Sequence, residues 1–73
     1  MNLIPKKRLD GLLQILPSRE MPEKTKEAAK LVIESGFTYD LAALKTGVSS
    51  KRISLAVRKL SRMDAILLEA YRL

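Results

Sequence analysis

Five residues divide this chain more sharply than any others: Pro5, Pro17, Pro22, Gly36 and Gly47. Proline lacks the amide hydrogen that a helix interior needs. An isolated glycine after an apolar run takes the left-handed conformation that closes a helix. Between these marks, apolar residues recur at spacings of three and four, and no β-branched run alternates with polar residues. That pattern fits helices and leaves little for strands. The 73 residues are expected to form a single domain, residues 1–73. A chain of this size buries only about 60–65% of its unfolded surface, so a second copy would help to stabilise it. Phe37, Tyr39 and Tyr71 are the only aromatic residues, which leaves an aliphatic core.

Each interval has its own signals. Pro5 stands at or just before the first turn of a helix through KKRLDGLLQIL, whose Leu9, Leu12, Leu13 and Leu16 share one face. Gly11 weakens this helix by about 1 kcal/mol relative to alanine, and Pro17 ends it. A second helix starts near Pro22 and closes at Gly36. Its expected inner face is Ala28, Leu31, Val32 and Ser35, with Ile33 to one side. Thr38 caps a two-turn third helix, YDLAALKT, with Asp40 in its first turn. Gly47 supplies the next turn, and Ser49 or Ser50 caps a fourth helix, KRISLAVRKL. Beyond Leu60 two readings fit. Asp64 caps a fifth helix, AILLEAYRL, or the stripe of Leu60, Met63, Leu67 and Tyr71 prolongs one helix from about residue 50 to 72. The expected architecture is all-α, a compact bundle of about five helices.

One spacing is more specific. Ala43, Gly47 and Ile53 stand as a helix-turn-helix requires, over about residues 38–62. Ala43 is small where the second helix crosses. Gly47 takes positive φ in the turn, and branched Ile53 locks the second helix on the first. On a helical wheel Ala56, Val57 and Leu60 fall beside Ile53. Lys51, Leu55, Arg58 and Arg62 fall opposite, flanked by Arg52, Ser54 and Lys59. The formal charge is +6, and residues 47–62 carry five bases and no acid. A basic outer face is by itself an ordinary solvated surface. Surface helices, however, usually mix signs to gain i,i+4 pairs, and the spacing signal is independent of charge. The expected use of this face is the major groove of double-stranded DNA. Arginine and lysine there pair with guanine O6 and N7, and Leu55 can meet a thymine methyl. Thr38, Tyr39, Ser49 and Ser50 lie near helix N-termini, where hydroxyls and amides hold phosphate. Lys59 and Arg62 are further candidates for the DNA backbone.

The segment SGFTYDLAALKTGVSSKRISLAVRKL resembles the DNA-binding part of KorA/TrfB-type plasmid repressors. It shares their spacing from Gly36 to Gly47, and their hydroxyl cap followed by a branched residue, a serine, Ala-Val and a basic pair. It is also similar to PapB-type fimbrial regulators, through KLSRMDAILLEAY. Together the two resemblances span roughly Ala28 to Tyr71. They imply a small bacterial transcription regulator that binds a pseudo-palindromic operator as a homodimer and represses plasmid or other mobile-element promoters. By position, the base-reading residues they imply are Ser50, Lys51, Arg52, Ser54, Leu55 and Arg58. Leu55 stands where a polar residue is expected. The sequence to Leu73 has no counterpart of the separate C-terminal dimerisation part of KorA-type proteins, so that mode of pairing does not transfer.

The remaining residues argue mostly by type. There is no cysteine and no histidine, which removes the thiolate zinc site and the usual neutral-pH nucleophile and base. The acids are scattered at helix-surface spacings, with neither a metal-binding cluster nor a Gly-rich phosphate loop. No enzyme, cofactor, metal or small-molecule ligand is expected. No membrane span and no signal peptide is expected either, so the reading is a cytoplasmic, nucleoid-associated protein. Met63, Ile66, Leu67, Ala70 and Tyr71 share one apolar face, about residues 63–72. This face either covers the chain's own core or forms a dimer interface. A different class of function also fits: a protein-interaction module, antitoxin-like or a regulatory adaptor, using that C-terminal amphipathic helix.

Overall fold

The first helix, α1 (Lys6–Ile15), begins directly after Pro5, whose φ of −57° is already helical and whose carbonyl accepts from the Leu9 amide at 2.9 Å. It stops because Leu16 turns extended and Pro17 cannot donate. The Leu16 carbonyl, left over at the helix end, accepts from Lys26 Nζ at 2.6 Å. The Pro17 carbonyl then accepts from the amides of Glu20 and Met21 at 3.0 and 3.1 Å, which folds the connection into a tight turn. Met21 anchors this turn in the core. The structure, a computed structural model, describes residues 4–70.

Three more helices follow: α2 (Glu23–Ser35), α3 (Tyr39–Thr46) and α4 (Ser50–Ala70). Gly36 and Gly47 close α2 and α3 in the left-handed region, at φ of 72° and 79°. Among the described residues the chain is all-helical, a compact globule of four helices with no strand. None of these helices is long and apolar enough to cross a membrane.

Two adjoining apolar clusters hold the helices together. In the larger, Leu9 and Leu12 of α1 and Leu16 just beyond it meet Ala29 and Ile33 of α2 and Ala56 and Leu60 of α4. In the smaller, Ala28 of α2, Ala42 of α3 and Ile53 of α4 meet, with Val32, Phe37 and Val48 at the edge. Val57 packs against both. The α1 leucine face is as the spacing predicts, with Leu13 half-buried. The inner face of α2 is rotated from expectation. Thr25, Ala28, Ala29 and Ile33 are buried, Leu31 and Val32 are half-buried and Ser35 is exposed. The reason is tertiary, since the larger cluster, to which α1 contributes, takes in the Ala29–Ile33 flank.

The expectation of about five helices is corrected by α4, which runs unbroken for 21 residues. Asp64 is not a cap. It is buried within α4, where its two carboxylate oxygens accept from Arg8 Nε at 2.7 Å and Nη2 at 3.1 Å. The partner lies 56 residues away, so α1 claims this carboxylate before any capping role arises. The hydrogen bond to Asp64 raises the Arg8 pKa, with desolvation opposing and charge attraction adding. Beyond Asp64 every residue from Ala65 to Ala70 is exposed. The end of α4 therefore projects from the globule with Ile66, Leu67 and Leu68 uncovered.

Candidate nucleic-acid interface

The basic block is positioned by the α3–α4 turn. Thr38 Oγ1 accepts from the Leu41 amide at 3.1 Å and starts α3. At the other end, the Thr46 hydroxyl donates to the Ala42 carbonyl at 2.8 Å and accepts from the Val48 amide at 3.3 Å. The Gly47 amide donates to the Ala43 carbonyl at 2.8 Å. Ser49 is the residue that caps α4, its Oγ accepting from the Arg52 amide at 3.2 Å. These bonds hold the turn between α3 and α4. Ala42, Ile53 and Ala28 then pack at its base, with Ala42 and Ile53 fully buried and Ala43 half-buried beside them. On the α3 side the contact is made by alanines alone, against branched Ile53 and Val57 of α4.

With Ile53, Ala56 and Leu60 buried and Val57 half-buried, α4 can present only its other side. Lys51, Arg52, Leu55, Arg58, Lys59 and Arg62 are exposed there, and Ser54 is half-buried. No ion pair engages Lys51, Arg52, Arg58 or Arg62 among the described residues. The contrast with Lys59 is informative, since its Nζ lies 3.4 Å from Glu20 Oε1. Leu55 is 55% exposed in the middle of this cationic surface.

The hydroxyls divide by what they already do. Thr38 and Ser49 use their oxygens as caps, which leaves each O–H proton free to donate. Ser50 differs, because its hydroxyl donates to Asp40 Oδ1 at 2.8 Å and ties α4 to α3. Tyr39 is exposed at the start of α3. Of the expected dimer face, Met63 packs half-buried against the larger core cluster. Ile66, Leu67 and Ala70 are exposed, and Tyr71 lies outside the described residues.

Two basic residues that the sequence patterns did not single out belong beside this surface. Arg19, on the α1–α2 turn, lines a groove of about 350 Å³ with Arg52, Leu55 and Lys59. Lys24, in the first turn of α2, lines an adjoining hollow of about 520 Å³ with Ser49 and Arg52. Neither residue carries a local signal. Arg19 sits between two prolines and Lys24 among charges of both signs, and only the packing of α2 against α4 brings them to the basic face.

No family model, no curated protein and no solved structure matches this chain.

Proposed function

We propose that this protein is a sequence-specific DNA-binding transcription regulator. It uses α3 and α4 as a helix-turn-helix and binds its operator as a homodimer. The observation that carries the reading is the outer face of α4. Four cations, Lys51, Arg52, Arg58 and Arg62, stand on it without a carboxylate partner among the described residues, while the opposite side is fixed in the core. Unpaired cations on a rigid, exposed helix have the shape and charge that a major groove accepts. In this reading Lys51, Arg52, Ser54, Leu55 and Arg58 face the bases, with Ser50 at the margin because it is bonded to Asp40. Thr38, Tyr39, Ser49, Lys59 and Arg62 lie toward the phosphates. The resemblance to KorA/TrfB-type and PapB-type regulators supports repression of plasmid or other mobile-element promoters in a bacterial cytoplasm.

The projecting end of α4 supports the dimer. At 1.5 Å per residue, Leu67 lies about 20 Å along the axis from the middle of the basic segment. Its apolar side is about a quarter turn around the helix from the basic side. Two copies paired antiparallel near Leu67 would keep both basic faces on one side. Their centres would lie about 39 Å apart, close to the roughly 34–36 Å of one DNA turn.

Gel shifts on the DNA just upstream of the gene, run across a salt series, test the proposal. Sequence-preferring binding at moderate salt is expected, with Arg58→Ala relaxing the preference and Lys59→Ala weakening all sites alike. Binding with no preference, or none at moderate salt, refutes sequence-specific regulation. The exposed Ile66, Leu67 and Leu68 also fit a second reading, a module that docks on a partner protein. That reading requires function to survive Lys51→Glu with Arg58→Glu.

A further inference from the structure

The groove beside α4 has a mixed character that a merely solvated surface does not need. Its apolar lining is Met21, Pro22, Leu55 and Ala56, of which Pro22 and Leu55 are exposed, and its cations are Arg19, Arg52 and Lys59. The adjoining hollow shares Pro22 and Arg52 with it and adds Lys24. The cations come from three separate elements: the α1–α2 turn, α2 and α4. Arg19, Lys24 and Arg52 have no ion-pair partner among the described residues. The turn that carries Arg19 is held by the Pro17 carbonyl and by buried Met21, so this cation stands on an ordered support. The acid on the groove is Glu20, and it is occupied by Lys59 at 3.4 Å.

We infer that this groove is a binding site for one sugar–phosphate strand of duplex DNA. Arg19, Lys24 and Arg52 hold phosphates of that strand, and a deoxyribose lies on Pro22 and Leu55, so Arg52 and Leu55 pass from the bases to the backbone while Lys51, Ser54 and Arg58 keep the base-facing role. The inference rests on the DNA reading above and adds to it a contact outside α3 and α4. Exposed apolar side chains set among cations match a nucleic-acid strand, which alternates apolar sugar faces with anions. Continuity with the unpaired cations of α4 favours nucleic acid over an acidic protein. The site also gives Leu55 a role. It is part of the wall that a sugar packs on, which accounts for an aliphatic residue amid cations. Glu20 restrains the site, because its carboxylate both repels phosphate and neutralises Lys59.

The test is a salt titration of binding to a labelled duplex of arbitrary sequence, followed by fluorescence anisotropy. Arg19→Ala and Lys24→Ala should each flatten the plot of log affinity against log salt by about 1, equally on unrelated sequences. Glu20→Gln should tighten binding on all of them. Circular dichroism confirms that the variants stay helical. If these variants bind with the parent's slope while Arg58→Glu abolishes binding, the groove inference fails and the α4 reading stands. If the parent protein binds no duplex even at low salt, both fail. Capture of a polyglutamate peptide in place of duplex, lost in the same variants, would overturn the nucleic-acid assignment of the groove.

Discussion

The same substitution, glycine to alanine, should have opposite signs at Gly47 and Gly11. A Cβ at either position meets nothing within 4 Å, so steric contact contributes to neither result. What differs is the backbone. Gly47 sits at φ of 79° in the turn between α3 and α4, whereas Gly11 lies within α1. Holding an L-residue in the left-handed region costs about 1–2 kcal/mol, and restricting the unfolded chain returns about 0.4–1 kcal/mol. Gly47→Ala should therefore lose roughly 1 kcal/mol. Gly11→Ala should gain about 1 kcal/mol, since alanine is the better helix former. The two variants then differ by about 2 kcal/mol, or roughly 8–16 °C in Tm for a domain of this size. Urea unfolding at one protein concentration reads both values, with an unchanged m-value as the two-state check. Gly36→Ala, at φ of 72° and equally unobstructed, should behave like Gly47→Ala. A Gly47→Ala variant as stable as Gly11→Ala would refute the left-handed turn, and with it the angle at which α4 leaves α3.

Further predictions concern the core, the ion pair and the projecting helix end. Leu60 is fully buried where α1, α2 and α4 meet. Leu60→Ala should cost about 2–5 kcal/mol, a large part of the roughly 4–11 kcal/mol expected for the whole domain, and calorimetry would show it. Replacing Arg8 by methionine should destabilise more than replacing Asp64 by asparagine. The first strands a buried carboxylate, while the second frees a half-exposed guanidinium to water. A double-mutant cycle in thermal unfolding checks the coupling, and strictly additive effects would contradict the pair. The raised Arg8 pKa stabilises fully below the ordinary arginine value and is lost only above it, so the arginine causes no loss of stability near neutral pH. Leu67→Asp should leave the fold intact, because Leu67 touches no core cluster, and should shift the protein toward monomer in sedimentation.

The features readable in the sequence are those whose physics is local. Gly36, Gly47 and the Thr38 cap each act within a few residues, and all three stand where the spacing places them. The inner face of α4 was readable because periodicity alone separates Ile53 and Leu60 from Lys51 and Arg58. Asp64 was not, because an aspartate before an apolar run looks the same whether it caps a helix or pairs with Arg8 from another element. The tilt of the α2 inner face toward Ala29 and Ile33 likewise depends on what covers that flank, which helical periodicity does not encode. Arg19 and Lys24 belong to the same class. Their place beside α4 follows from how α2 packs, and nothing in their neighbourhood along the chain marks them.

In the proposed function the outer face of α4 binds DNA through its unpaired cations. Lys51→Glu with Arg58→Glu tests it most directly, since both side chains are exposed and reversing them leaves the buried face of α4 untouched. The measurement is duplex affinity across a salt series, beside the parent protein and the Leu67→Asp variant. Charge reversal should abolish duplex binding at moderate salt, while Leu67→Asp should retain a weaker, salt-sensitive binding typical of a single copy. Parent-like affinity in the charge-reversed protein would contradict the proposed function.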